Sequence, residues 1–238
     1  MTERISSLLL ASVIGALAGI CINLLAARLP PLLHRHWRKE AQELFGIAME
    51  DHEPPASTHF GPIRLRSVLV CALCAILSMI GIHHVGPNLP GVAFVLLSWT
   101  LLTLSLIDWD HLLLPDIIVY PLLWAGLIIN QYGLFATSAD ALWGAVVGYG
   151  VMWLMSKFAL MLTDTEGVGG GDLKLVAALG AWAGLETLAY IIMLASVLGG
   201  LAHVFRLSFN TSHSIRGAVI PFGPFLAIAG WVCVMYNA

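Results

Sequence analysis

The residues of this chain best suited to chemistry are carboxylates standing at the ends of apolar runs. Gly167-Val168-Gly169-Gly170-Gly171-Asp172-Leu173-Lys174 delivers one of them, Asp172, to the start of an apolar helix. Glycine has no Cβ and tolerates φ > 0, so such a run lets another backbone pass close by, at a cost in chain entropy. Aspartate also caps helices well, and Asp172 reads equally as the cap of a helix beginning at Leu173. A second acidic stretch, Leu106-Ile107-Asp108-Trp109-Asp110-His111-Leu112-Leu113-Leu114-Pro115-Asp116, closes another apolar run. Ionisable groups at membrane segments are expensive and usually mark a site. Two carboxylates brought close share one proton and titrate as a unit. The ionised member can take a proton from an attacking water while the protonated member polarises a carbonyl oxygen. His111 is the only histidine in the two acidic loops, and neither Ser105 nor Thr165 has an evident activating partner, so nothing there competes as a nucleophilic pair.

The elements that must position these acids are membrane helices. Of 238 residues, 59% are hydrophobic and 11% charged, too few polar groups for a water-soluble surface. The apolar runs reach about 20 residues, enough to cross a hydrocarbon core of roughly 30 Å, and lack the alternation of barrel strands. The fold expected is all-α, a polytopic helical bundle with about eight spans, over 5–28, 66–84, 91–108, 116–132, 139–162, 172–184, 187–206 and 218–236. The first run continues past Gly15 and Gly19 to Leu29, which reads as a retained helix and not a cleavable signal. Small residues recur at helix-packing spacing: Gly15 and Gly19, Gly144 and Gly148, Gly180 and Gly184. Cys21, Cys71, Cys74 and Cys233 all lie inside apolar runs and read as packing residues. The Cys71-x-x-Cys74 pair has no second ligand pair at zinc spacing, so no metal site is expected. The formal charge of −3 gives no reason to expect nucleic acid.

Basic residues set the orientation. Arg28, Arg35, Arg38, Lys39, Arg64, Arg66, Lys157, Lys174, Arg206 and Arg216 fall in three connections on one side of an eight-helix path, and only Arg4 lies opposite. The positive-inside rule then puts both termini outside the cytoplasm and Asp108, Asp110, Asp116 and Asp172 at the cytoplasmic face. The chain divides into a first transmembrane helix (1–28), a short cytoplasmic connection (29–65) and a transmembrane core (66–238). Within the connection, Trp37 to Gly46 suits a short amphipathic helix ended by glycine, residues 52–62 read as loop, and the basic residues suit anionic lipid headgroups. The prolines of Pro221-Phe222-Gly223-Pro224 break the start of the last helix.

Three motifs in this order carry a resemblance: Leu106 to Asp116 followed by Pro121-Leu122-Leu123-Trp124, Gly-x-Gly-Asp-x-Lys-Leu ending at Leu175, and Ile220-Pro221-Phe222-Gly223-Pro224. From about residue 95 to the end, the chain resembles the type IV prepilin peptidases, bacterial inner-membrane aspartyl proteases of the GxGD kind that serve type IV pili and type II secretion. The resemblance implies removal of a short basic leader from prepilins or pseudopilins after a glycine, and N-methylation of the new terminus with S-adenosylmethionine. It makes Asp108 and Asp172 the catalytic pair, with Gly169, Gly170, Gly171, Lys174, Asp110 and Asp116 in supporting positions. A further match at Asn23 and Arg28-Leu29-Pro30 makes Asn23 and Arg28 the candidates for the cofactor, whose site is otherwise unassigned.

Two departures stand out. Many members carry two C-x-x-C pairs in the first cytoplasmic connection, whereas residues 29–65 contain no cysteine, so the zinc subdomain is absent. The family's Phe-Leu-Asn near the end of the first helix is Cys21-Ile22-Asn23. Two other classes compete on the residues alone: a magnesium-dependent membrane transferase with the four aspartates on a diphosphate, and a proton-coupled transporter with intramembrane acids. Asp164 and Glu166 add to an acidic mouth that would attract a basic leader.

Overall fold

The computed structural model describes residues 2–46, 63–163, 169–209 and 221–238. The loop over 52–62, Asp164, Glu166, Gly167, Arg216 and Ile220 lie outside the described residues. Among those described there is no strand, and eight helices follow in order: α1 Thr2–Phe45, α2 Ile63–Val85, α3 Leu89–His111, α4 Asp116–Asn130, α5 Ser138–Thr163, α6 Gly170–Ala183, α7 Leu185–Phe209 and α8 Gly223–Asn237. The helical membrane bundle expected from composition is what forms. Five helices, α1, α2, α3, α5 and α7, contain stretches long and apolar enough to cross a bilayer. The other three are shorter, at 15, 14 and 15 residues for α4, α6 and α8, or about 21–22 Å each.

One helix differs from expectation. The first span does not stop at residue 28 before a separate amphipathic helix; α1 runs unbroken to Phe45. Pro30 and Pro31 lie inside it. Each removes one backbone donor, from the carbonyls of Ala26 and Ala27, and the ladder resumes on either side. The glycine stop does occur, with Gly46 at φ 62° donating its N–H to the carbonyl of Gln42 at 2.9 Å.

The core is organised around α6, which is buried from Leu175 to Ala183 without interruption. A helix apolar on every face needs neighbours on every face, and α4, α5, α7 and α8 supply them. Small residues set the closest approaches. Gly144 of α5 and Gly180 of α6 meet backbone to backbone, with no room for a Cβ on either, as small-residue packing in lipid requires. Gly126 of α4 accommodates Trp182, whose indole N–H donates to the carbonyl of Leu122 at 2.8 Å. Buried Asn130 closes this end: its amide donates to the carbonyls of Ala181 and Trp182 (2.8 and 2.9 Å), and its carbonyl accepts from the N–H groups of Phe135 and Ala136 (3.0 and 3.1 Å). One side chain thus satisfies four backbone groups near the end of α6 and in the α4–α5 turn.

On the other flank, α3 packs on α8 through Trp231, which donates to Ser98 at 2.7 Å and lies against Phe94. Gly15 and Gly19 of α1 sit against Cys74, Ser78 and Cys71 of α2, so the C-x-x-C serves as a helix contact surface and its cysteines are free thiols.

Candidate active site

Asp108 occupies the last turn of α3 and is only 6% exposed. The helix ends at Leu112, which adopts the left-handed conformation (φ 51°, ψ 40°) and donates its N–H to the carbonyl of Asp108 at 2.8 Å. A branched side chain seldom adopts this geometry, and here it turns the chain through Leu113, Leu114 and Pro115 into α4. A second backbone group reaches the carboxylate itself. The N–H of Gly223, at the start of α8, donates to Asp108 Oδ2 at 2.9 Å. The contact needs glycine for space, since a Cβ at 223 would lie 2.6 Å from that oxygen.

Asp172 sits in the first turn of α6, but not as its cap. The helix begins at Gly170 with Gly169 as N-cap, and the N–H of Asp172 bonds to the Gly169 carbonyl at 3.0 Å. The helix starts earlier than Leu173 because Gly169 already has the extended backbone of a cap position (φ −62°, ψ 138°). Asp172 therefore keeps its side chain for another purpose while standing where the helix dipole favours negative charge. Gly171 packs on Leu114, with a Cβ excluded at 2.8 Å, which locks the α6 start against the α3–α4 turn. Gly170 has nothing within 4 Å of where its Cβ would be.

Asp108 and Asp172 line one cavity of about 710 Å³, together with Gly169, Gly170 and Gly171, with Leu112 to Ile117 and with Lys174. Its remaining wall is the extension of α1, through Leu33, His36, Trp37 and Glu40. Two carboxylates facing one cavity, beside backbone without side chains, suit attack of water on a carbonyl.

The other two aspartates are spoken for. Asp110, its side chain 7% exposed, pairs with Arg66 at the start of α2 and lies away from this cavity. Asp116 is on the cavity rim, where Lys174 donates to both its oxygens at 2.7 Å and also lies over the Tyr120 ring. The first pair fastens α2 to α3 and the second α4 to α6, so Asp110 stands apart from the other three acids and Asp116 has both oxygens taken by Lys174, unlike the free set a magnesium–diphosphate site would need. Among the described residues, no three His, Cys, Asp or Glu gather to hold a metal.

A protein-family model described as the type IV leader peptidase family matches residues 95–204, which contain both aspartates. Proteins named prepilin leader peptidase/N-methyltransferase are similar over nearly the whole chain. That of Pseudomonas putida is 39% identical, covering 96% of this chain and 90% of its own. That of Pseudomonas aeruginosa is 38% identical, covering 94% and 88%. The Neisseria gonorrhoeae protein is 31% identical over 96% and 90%. The chain belongs to the type IV leader peptidase family. No solved structure matches it.

The name shared by the relatives implies a methyl donor for them, and the two residues matched to it by resemblance, Asn23 and Arg28, lie on α1. The Asn23 amide donates to the carbonyls of Gly19 and Ser67 at 2.9 and 3.3 Å, binding α1 to α2. Arg28 is exposed on α1, and neither residue lines the cavity of the two aspartates.

Two parts of the leader peptidase's site escaped the sequence reading. Pro221-Phe222-Gly223-Pro224 reads in sequence as a helix break and a motif of the resemblance; what it adds in the structure is a backbone donor on Asp108. Residues 33–40 carried a signal, Leu33, Trp37 and Glu40 at spacings of four and three, but this reads as an interfacial helix until α1 is known to run on as a single rod.

Proposed function

We propose that this chain is a membrane aspartic endopeptidase that removes the basic leader of type IV prepilins or type II secretion pseudopilins at the cytoplasmic face of a bacterial inner membrane, and N-methylates the terminus it exposes. The observation that carries the reading is that Asp108 and Asp172, from motifs 64 residues apart in sequence, face one cavity in a member of the leader peptidase family. The distribution of basic residues supports the sidedness, with both termini periplasmic.

The chain's own groups account for hydrolysis. The aspartate pair holds one proton between its members. Water attacks the scissile carbonyl carbon as the ionised carboxylate takes its proton, and the protonated carboxyl hydrogen-bonds to the carbonyl oxygen as charge develops there. The tetrahedral carbon then expels the amine, which leaves with a proton returned from the pair, and the leader departs as a carboxylic acid. Gly223 holds Asp108 in place by its N–H, and Leu114 holds the start of α6 through Gly171. The cleavage-side glycine of the leader fits backbone-to-backbone contact with Gly169 to Gly171. S-adenosylmethionine, when bound, would supply an electrophilic methyl group for the new amine.

The test is incubation with a prepilin in detergent, read by intact mass, so that loss of the leader and gain of a methyl group appear separately. Asp108→Asn and Asp172→Asn should each abolish cleavage in a folded protein. Near-normal turnover in either variant would remove the pair from the mechanism. Asp110→Asn and Asp116→Asn should retain activity, because their partners are Arg66 and Lys174.

A further inference from the structure

The stretch Pro121-Leu122-Leu123-Trp124 takes no part in the chemistry above. Leu122 is buried against α6, but Trp124 points away from the protein with 61% of its surface exposed. It belongs to a stripe along α4: Ile117 (63% exposed), Tyr120 (45%), Trp124 and Ile128 (61%). These positions share one face of a helix, and the opposite face, Val119, Leu122, Gly126 and Asn130, is buried. Outward apolar residues are ordinary in a membrane protein, so exposure alone carries nothing. What sets this stripe apart is where it begins. Ile117 and Asp116 are themselves walls of the dyad cavity.

The α1 extension and α4 both line the cavity, and among the described residues no Cα of one helix lies within 8 Å of a Cα of the other. The gap is bordered by Trp37 and Glu40 on one side and by Asp116 and Ile117 on the other. Glu40, beside His36, and Asp116, paired with Lys174, thus stand at the mouth, and an apolar ridge leads away from it. The substrate proposed above has the same order, a basic leader, then the cut, then an apolar helix that stays in the bilayer. We infer that the apolar helix of the prepilin docks along the outward face of α4, entering between α4 and the α1 extension, with Trp124 as its main contact. This rests on the reading of the chain as a prepilin peptidase. Geometry fixes the register: α4 begins beside the dyad, and Trp124 lies eight residues further on, about 12 Å along the helix. A helix leaving the dyad along α4 therefore meets Trp124 after about two turns of its own.

The experiment uses the full chain in lipid nanodiscs with full-length prepilin. A photo-crosslinking residue placed at 124 or 128 in the Asp172→Asn protein should form an adduct with prepilin that excess unlabelled prepilin suppresses, and one at Trp153 on α5 should not. Trp124→Ala in the active protein should raise KM about fivefold, on the scale of one helix-packing contact in lipid, with kcat nearly unchanged, and Trp124→Phe should restore most of it. Adducts at 153 but not at 124 and 128, or an unchanged KM in Trp124→Ala, would overturn the inference and leave lipid as the occupant of this face. A drop in kcat without a rise in KM would also overturn it, because α4 would then be acting through the dyad. Wild-type protein that cleaves no prepilin would instead sink the proposed function, a failure distinct from these.

Discussion

Gly223→Ala isolates what the backbone of α8 does for Asp108. The substitution keeps the N–H that donates to Oδ2 at 2.9 Å, and Gly223 is not in the left-handed region, so alanine meets no conformational penalty there. Its only fault is one methyl group. That carbon would lie 2.6 Å from Oδ2 and 3.1 Å from Cγ of Asp108, where ordinary contact begins at 3.4 Å. Either the carboxylate or the start of α8 must yield by about 0.8 Å. Asp108 is buried and α8 packs on α3, α6 and α7, so the displacement is shared by groups with little freedom, at a cost of about 1–3 kcal/mol in stability. A misplacement of about 1 Å at reacting groups costs on the order of a hundredfold in rate, or about 2.7 kcal/mol in barrier. The expected outcome is a kcat for prepilin cleavage lower by about a hundredfold, with KM within about twofold, since the methyl group faces the acid and not the substrate helix. Gly199→Ala, whose Cβ would stand at an ordinary 3.5 Å from Phe222 and Phe225, is the control and should be nearly silent. Wild-type kcat in a folded Gly223→Ala protein would refute the placement of this hydrogen bond in the working site.

Three further outcomes are expected. Asn130→Leu should lower stability by about 3 kcal/mol or more, because buried backbone groups at the end of α6 and in the α4–α5 turn lose their partners; thermal unfolding in detergent with an unchanged midpoint would contradict this. Gly170→Ala should leave the fold intact, there being no atom within 4 Å of its Cβ, while raising KM several-fold if substrate backbone lies over the glycine run; an unchanged KM would route the substrate elsewhere. In a cysteine-free background, a cysteine near Ser57 should be shielded from an impermeant thiol reagent in intact cells and one near Ala136 labelled, and the reverse pattern would invert the orientation.

What could be read from the sequence follows from the range of each signal. Asp108 and Asp172 were legible because glycine and acid next to apolar runs are local features, and so was the membrane class, which is a property of composition. The glycine pairs were legible as packing residues, but which helices they join was not: Gly144 of α5 lies against the backbone of both Gly180 and Gly184, the latter ending α6 with a φ of 84°. The cap at Gly169 in place of Asp172 was missed because acid before an apolar run looks the same at the N-cap and three residues inside. The Gly223–Asp108 bond spans 115 residues and leaves no periodic trace in the chain. The α1 extension was not legible because the first apolar run gives way to a charged stretch after residue 28, whereas the helix continues through Pro30 and Pro31 to Phe45.

The short helices explain how a soluble-type reaction fits inside a membrane protein. The ends that carry the site are the starts of α4, α6 and α8 and the finish of α3. Three of these four elements reach only about 21–22 Å, against a hydrocarbon core of roughly 30 Å. If their far ends reach one membrane surface, their near ends stop well below the other. Asp172, in the first turn of α6, then stands at a depth where an acid in contact with lipid would be expensive. The α1 extension walls the cavity between these helix ends and carries its own polar side chains, His36 and Glu40, to it. On this arrangement a partly polar cavity would admit water to the aspartates, as hydrolysis requires, while the outward face of α4 remains apolar. The length of α1 beyond residue 28 and the shortness of α6 are on this argument two parts of one device. Shortening α1 to remove Leu33 to Glu40 should strip the wall from the cavity and cost cleavage, even though neither aspartate is touched.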